Sequence, residues 1–244
     1  MATPTSNQLP VDQFNAIMAN FNLINGKMDG FISEMKVLNT RMDTCETDVK
    51  NCYAELYSVK EQLNQLQQQN RACTIRIFSL PMSDEERNTT DPSGKVTAKL
   101  VYDRILKPVM NHAKEKQLLA TVPTLPNCIT ECFRIRPGSS TLAKPTPIIV
   151  KLASTTLKSA IFRAKNDSLP PPTDAEKAAG LKRFHITEDL THASYDCLQA
   201  LRANDKIERA WSVGGEVRFT RKGDTTNHVH KVKSVFDPIS LIVG

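Results

Sequence analysis

Reading from Phe14 in alternating steps of three and four residues meets Phe14, Ile17, Phe21, Ile24, Met28, Phe31, Met35 and Leu38. The same steps continue through Met42, Cys45, Val49, Cys52, Leu56, Val59, Leu63 and Leu66. All sixteen positions are apolar, where a composition of 40% apolar residues would fill about six. A period of 3.5 residues kept over this length winds two or more helices into a left-handed supercoil. As one helix the segment would run roughly 80 Å, at 1.5 Å per residue. A rod with one apolar stripe has no interior, so it is expected to bury the stripe against copies of itself. Residues 12–70 therefore read as an oligomerisation stalk.

The residues beside the stripe carry orientation. Arg41 flanks Met42 and can reach Glu46 of a neighbouring chain, and Glu55 stands likewise to Lys60. That five-residue offset suits parallel helices in register. The string Arg41-Met42-Asp43-Thr44-Cys45-Glu46 also resembles the Arg-apolar-x-x-apolar-Glu pattern of three-stranded coiled coils, which favours a homotrimer over a dimer. The plainer reading is a solvated ion pair worth about 0–1 kcal/mol. Met, Phe and Cys have no sharp preference for strand number, so the seam leaves dimer and trimer open. Gly26 and Gly30 each cost about 1 kcal/mol relative to Ala, making the first two heptads the looser end. Met35, Leu38, Arg41, Met42, Cys45, Glu46, Val49, Leu56, Val59 and Leu63 are the expected oligomerisation residues. Residues 1–11 read as a disordered tail, and Asp12 as the helix cap.

Charge is divided unevenly. Residues 1–70 hold 5 Lys/Arg against 8 Asp/Glu, and residues 71–244 hold 27 against 18. The basic part is the globular part, which points to a polyanion, nucleic acid before membrane surface. No run of eighteen apolar residues and no basic-then-apolar leader occurs, so neither a membrane span nor a secretory signal is expected. The six cysteines have no framework spacing, which fits reduced thiols in the cytosol or nucleus, and the sequons at Asn88 and Asn166 read as accidental.

Beyond the stalk, alternation predicts strands at Cys73–Leu80, Cys128–Arg136, Pro147–Leu152 and around Phe184–Ile186. Helical patterns lie between them, over Val96–Leu106 and 154–167. The order βαββαβ over residues 71–190 is the split arrangement of ferredoxin-like, RNA-recognition-like folds. Alternation would send Ile75, Ile77, Phe133, Ile135, Ile148, Val150 and Leu152 inward. It would leave Arg76, Phe78, Arg134, Arg136 and Lys151 on an open, phosphate-facing surface. Residues 191–244 read as a small basic α+β domain with a Gly214-Gly215 hairpin. In it Trp211 is expected in the core, and Arg202, Lys206, Arg209, Arg218, Arg221 and Lys222 on the surface. The fold class is thus α+β with an N-terminal parallel coiled coil.

The order of these parts resembles the first-open-reading-frame protein of LINE-type non-LTR retrotransposons. The strings that carry the resemblance are Pro145-Thr-Pro-Ile-Ile-Val-Lys-Leu152, Ile161-Phe-Arg-Ala-Lys165, Ile186-Thr-Glu-Asp-Leu190, Lys206-Ile-Glu-Arg-Ala-Trp211 and Gly215-Glu-Val-Arg-Phe219. The resemblance in the order of parts covers nearly the whole chain, and the order and spacing of the strings make it specific. The resemblance implies a trimeric protein that coats its own transcript and acts as a nucleic-acid chaperone in target-primed reverse transcription. It implies cytoplasmic ribonucleoprotein particles, with the nucleus as a second location, and DNA as a second ligand. In that family RNA lies between the RNA-recognition-like module and the tail domain. The matching segments carry Arg134, Arg136, Lys151, Arg163 and Lys165. Arg76, Lys182, Arg183, Arg202, Arg209, Arg218 and Arg221 complete the expected basic set. The segment Pro147–Leu152 lacks the paired aromatics of ordinary RNA-recognition modules, which implies backbone-dominated, sequence-tolerant binding.

No enzyme, cofactor or metal centre is expected. Gly94-Lys95-Val96-Thr97 lacks the upstream glycine and the adjacent hydroxyl residue of a phosphate loop. His228 and His230 have no companion ligands in sequence, and Cys128 and Cys132 have no downstream Cys/His pair. The rival reading is a coiled-coil scaffold, or a domesticated adaptor, with basic globular heads.

Overall fold

A computed structural model describes residues 10–88, 94–135, 146–178, 180–181, 183–224, 226 and 228–243. The chain divides into two compact units, residues 1–60 and 61–244. Helix α1, Val11–Asn70, begins one residue before Asp12, which lies in its first turn and is not its cap. No residue of α1 is buried. All sixteen positions of the stripe are solvent-exposed within the single chain.

In the second unit, β1 (Thr74–Phe78) is followed by the short helix α2 (Asp84–Asn88) and by α3 (Lys95–Val101). A wider π turn, Tyr102–Leu106, then joins α3 to α4 (Lys107–Glu115). Pro108 stands in the first turn of α4, where its missing N–H costs least, and the π turn before it absorbs the break in the hydrogen-bond ladder. The one-turn helix α5 (Leu125–Cys128) leads into β2 (Ile129–Arg134), and β3 (Ile148–Leu152) returns beside it. Helix α6 (Thr155–Ser168) starts at Ser154, whose hydroxyl accepts from the Leu157 N–H at 3.1 Å. The short α7 (Asp174–Ala178) precedes β4 (His185–Glu188).

These strands form one sheet in the order β2-β3-β1-β4, with every neighbouring pair antiparallel. Ile75, Ile77, Ile148, Val150 and Ile186 project from one face into a core shared with Val101, Ile105, Val109, Met110, Leu157 and Ile161. The helices thus cover one face of the sheet.

After Thr191, whose hydroxyl caps the chain by accepting from Ser194 N–H, comes α8 (His192–Ala203). Strands β5 (Ile207–Val213), β6 (Glu216–Arg221) and β7 (His230–Lys231) form a second antiparallel sheet, and α9 (Ile239–Val243) closes the chain. Leu190, Leu198, Leu201, Ile207, Val217, Phe219 and Val232 make a separate, smaller core. Among the described residues no helix is long and apolar enough to cross a membrane.

Strand β2 corrects the expected alternation. A bulge between Ile129 and Glu131 shifts its register, and a one-residue shift exchanges the faces of every following side chain. Cys132 is consequently buried, and Phe133, expected inward, is 52% exposed. Trp211 is the second correction. It is half-buried, lies outside the small core, and alternates away from the face that carries Ala210.

Candidate nucleic-acid interface

The bulge creates a continuous row on the face of the first sheet away from the helices. Cross-strand pairing places Phe133 opposite Ile149, Ile149 opposite Arg76, and Arg76 opposite Thr187. Phe78, on the same face of β1, is paired with the exposed His185. The row therefore contains an exposed ring at one end and a guanidinium two strands away.

That guanidinium is held. Arg76 Nε donates to Asp189 Oδ1 at 2.6 Å, and Arg71 Nη1 reaches the same oxygen at 3.4 Å. Arg71 also donates to the Leu190 carbonyl at 2.8 Å. One carboxylate between two guanidiniums leaves the group with a net positive charge. Arg71 escapes sequence reasoning because it follows the Gln-rich end of the stalk and belongs to no alternating run. Its spacing from Arg76, five residues across a helix-to-strand turn, was the available signal.

The second sheet repeats the arrangement. Trp211 pairs with Arg218, and Arg218 with Lys231, across β5, β6 and β7. Arg209, on the same face of β5, places its guanidinium carbon 5.9 Å from the centre of the Trp211 ring. Glu216 bonds Arg218 at 3.0 Å and also bonds Lys231. Those two hydrogen bonds, from Lys231 first and Arg218 second, hold the Glu216 carboxyl below its ordinary range. Again one carboxylate steadies two cations beside an aromatic ring.

The two sheets are tied through Glu188 at the end of β4. Its carboxylate accepts from the backbone N–H of Gly214 at 2.8 Å and of Gly215 at 3.1 Å, the turn between β5 and β6. Gly215 has φ +85°, and a Cβ there would stand 2.3 Å from Gln68 Cγ. Only glycine meets both demands. Gln68 in turn donates to the Asp189 carbonyl at 3.1 Å and accepts from Thr191 N–H at 3.0 Å. Asn64, one helical turn earlier, bonds the Thr191 hydroxyl at 2.5 Å. The polar face of the last turns of α1 thus grips the strand-to-helix joint at 189–191.

Several expected contacts are placed elsewhere. Arg134, expected on the open face, is turned inward, with its side chain only 10% exposed. Its Nε and Nη2 each bond Glu86 at 2.9 Å, and its Nη1 donates to the carbonyls of Leu80 and Thr146 at 2.8 and 3.1 Å. This is an internal clamp, and the same bulge that exposed Phe133 turned Arg134 inward. Lys165 donates to the Ile186 carbonyl at 2.5 Å and sits 4.1 Å from the centre of the Phe162 ring. It is half-buried, and burial lowers its pKa to about 8. Arg163 is exposed on α6, in the helical layer on the far side of the sheet from Phe133, beside a shallow cavity lined by Thr155 and Ser159.

Lys151 is exposed enough to be solvated but pairs with Glu131 at 3.2 Å. Arg183 is exposed and contacts the Asn166 carbonyl at 3.4 Å. Arg202, at the end of α8, donates to the Ala210 carbonyl at 3.1 Å. Arg221 lies at the far end of β6 opposite Ile207. Arg136 and Lys182 lie outside the described residues. The structure therefore brings together Arg71 and Arg76 on one face, and Arg209, Arg218 and Lys231 with Trp211 on another. It does not gather all twelve expected basic residues.

His228 and His230 stack edge to face at 4.8 Å, and His230 lies over Phe219. Among the described residues no group of three His, Cys, Asp or Glu side chains could hold a metal ion. No known protein-family profile matches this chain, and no curated protein matches it.

Proposed function

We propose that this chain binds single-stranded RNA, with DNA as a second ligand, as a parallel homotrimer and largely without regard to sequence. In this reading it is the nucleic-acid chaperone of a retrotransposon ribonucleoprotein, of the kind made from the first open reading frame of LINE-type elements. The carrying observation is the recurrence of one arrangement on two sheet faces. Phe133 with Arg71 and Arg76, and Trp211 with Arg218 and Lys231, each set an aromatic ring outside the cores on a face that carries two cations steadied by one carboxylate. Arg209 adds a third cation beside Trp211. Stacking of a base on such a ring is indifferent to base identity, and phosphates satisfy the surplus positive charge.

Two further features support the reading. The strand order β2-β3-β1-β4 in an antiparallel sheet supports the reading of a split-βαβ, RNA-recognition-like module. The exposed heptad stripe of α1 is self-complementary and suits a coiled coil. Several weak basic heads on one stalk raise the local concentration of binding sites, so grip comes from number. Individual phosphate contacts still break quickly, which lets paired strands exchange toward their most stable partners.

The test is binding of a labelled single-stranded RNA oligonucleotide across a salt series, with light scattering of the free protein. Binding that weakens steeply with salt, by a protein of three times the chain mass, is the expected result. An oligomer with no affinity at low salt would instead favour the scaffold reading.

A further inference from the structure

The six cysteines divide into two chemical groups. Cys128, Cys132 and Cys197 are buried, and Cys73 is half-buried. Burial pushes the thiols of Cys128 and Cys132 up to about 12 and that of Cys197 up to about 11. They stay protonated near neutral pH and react poorly. Cys45 and Cys52 are exposed on α1, and both occupy the apolar stripe three residues after another member, Met42 and Val49. They are thus equivalent positions one heptad apart. Seven residues advance a helix about 10.5 Å, beyond the Cα separation that a disulfide spans. Neither can bridge to the other within one chain, and each needs a second copy.

Resting on the coiled-coil reading above, we infer that Cys45 and Cys52 form two interchain thiol layers that close into disulfides under a small disulfide oxidant. The pair is a redox lock on the assembly. The occupant of the stripe is another copy of this chain, because the stripe keeps one phase over sixteen positions on a helix with no buried residue. Each large side chain fully covered contributes roughly 1.5–3 kcal/mol. The Arg41–Glu46 and Glu55–Lys60 offsets match only when the copies run parallel and in register. Parallel register sets every stripe residue against its own counterpart, so Cys45 meets Cys45 and Cys52 meets Cys52. In an antiparallel pair each cysteine would face the other column of the stripe, which holds none.

The chemistry is thiol–disulfide exchange. One cysteine thiolate attacks a sulfur of the oxidant RSSR and expels RS⁻. The counterpart thiolate on the next chain attacks the mixed disulfide, forms the interchain S–S bond and expels the second RS⁻. Two cysteine sulfurs are oxidised, the two oxidant sulfurs are reduced, and the two cysteine protons end on the two RSH released. The seam covers these thiols in the assembly, so they react as the helices part. The diagnostic quantity is the product at redox equilibrium, not the rate.

Three thiols in one layer can close only one disulfide. Two layers that choose different pairs join all three chains. The full chain is equilibrated in mixtures of oxidised and reduced glutathione, quenched with an alkylating agent, and separated without reductant. Light scattering is measured on the reduced protein in parallel. Wild type is expected to give covalent dimers and trimers, Cys45→Ala and Cys52→Ala dimers only, and the double variant neither. Covalent dimers alone in wild type and both single variants, from a protein that scatters as a dimer, would keep the lock and fix two strands. An oligomer without oxidant-dependent bands, or with bands that persist in the double variant, overturns the lock and leaves the coiled coil standing. A monomer with no bands overturns both.

Discussion

Lys158 Nζ lies 3.2 Å from Glu188 Oε1, with the two side chains 6% and 4% exposed. Lys158 also donates to the Ala72 carbonyl at 3.0 Å, and Glu188 receives the two N–H groups of the β5–β6 turn. A charge pair this deep is secure only because its remaining hydrogen-bonding capacity is met as well. It joins the first strand's approach, helix α6, strand β4 and the second sheet at one point. Lys158→Met leaves the Glu188 carboxylate buried with the glycine N–H groups and the Ser212 hydroxyl but without its paired cation. Urea denaturation should show a loss of about 3–5 kcal/mol, and a loss under about 1 kcal/mol would show that the junction is held by other contacts.

Acid should act on the same junction. Burial alone would raise the Glu188 pKa, but the Lys158 charge and the Gly215 N–H outweigh it and bring it below the ordinary value of 4.5. At Glu86 burial likewise raises the pKa, and the Arg134 and Thr97 hydrogen bonds outweigh it and lower the carboxyl below its ordinary value. A carboxyl with a lowered folded-state pKa stabilises the fold fully above its unfolded value. That contribution fades as pH falls through the folded one. Stability measured by denaturant titration should therefore stay level from neutrality to about pH 5.5 and drop below about pH 4.5. In Glu188→Gln the drop should be shallower, since one of the carboxyls with a lowered pKa is gone. An unchanged acid profile in that variant would contradict the assignment.

Arg134 should prove to be a folding residue. Its guanidinium reaches both Glu86 oxygens and two carbonyls from separate segments, a fork that a lysine ammonium cannot reproduce. Arg134→Lys keeps the charge but leaves buried acceptors unmet, at about 1–3 kcal/mol. The thermal midpoint should fall, while RNA affinity of the folded protein changes less than about twofold. A large affinity loss at unchanged stability would return Arg134 to the interface.

These cases mark where the sequence was legible. Heptad spacing, the order of strands and helices, and the Gly214-Gly215 turn are local patterns, and the structure has a helix, strand or turn at each. What alternation could not reveal was the bulge between Ile129 and Glu131, because the residues before it alternate no differently from those after. That single unpaired residue exchanged the roles of Phe133 and Arg134. Lys158 and Lys165 sit on the basic side of a short amphipathic pattern, yet their long stems carry the ammonium groups inward to Glu188 and Ile186. Nothing within α6 names those partners, which lie some 20 to 30 residues away. Trp211 was misplaced for a related reason: its hairpin is too small for its core to take a ring on both faces. Arg71 and Asn64 were hidden in a stretch whose composition reads only as the end of a stalk.

Phe133 and Arg209 separate stacking from charge. Phe133 is half exposed, so Phe133→Ala should change stability by less than about 1 kcal/mol. If a base stacks on it, affinity for single-stranded RNA should fall by about 1–3 kcal/mol. The slope of log affinity against log salt should then stay as it was, because no phosphate contact is lost. Arg209→Ala should do the reverse, reducing that slope by about 1 with a smaller loss at any one salt concentration. Fluorescence titrations of both variants over a salt series decide the matter. If Phe133→Ala binds as wild type does, the first sheet face takes no base, and the second face with Trp211 must carry the contact alone.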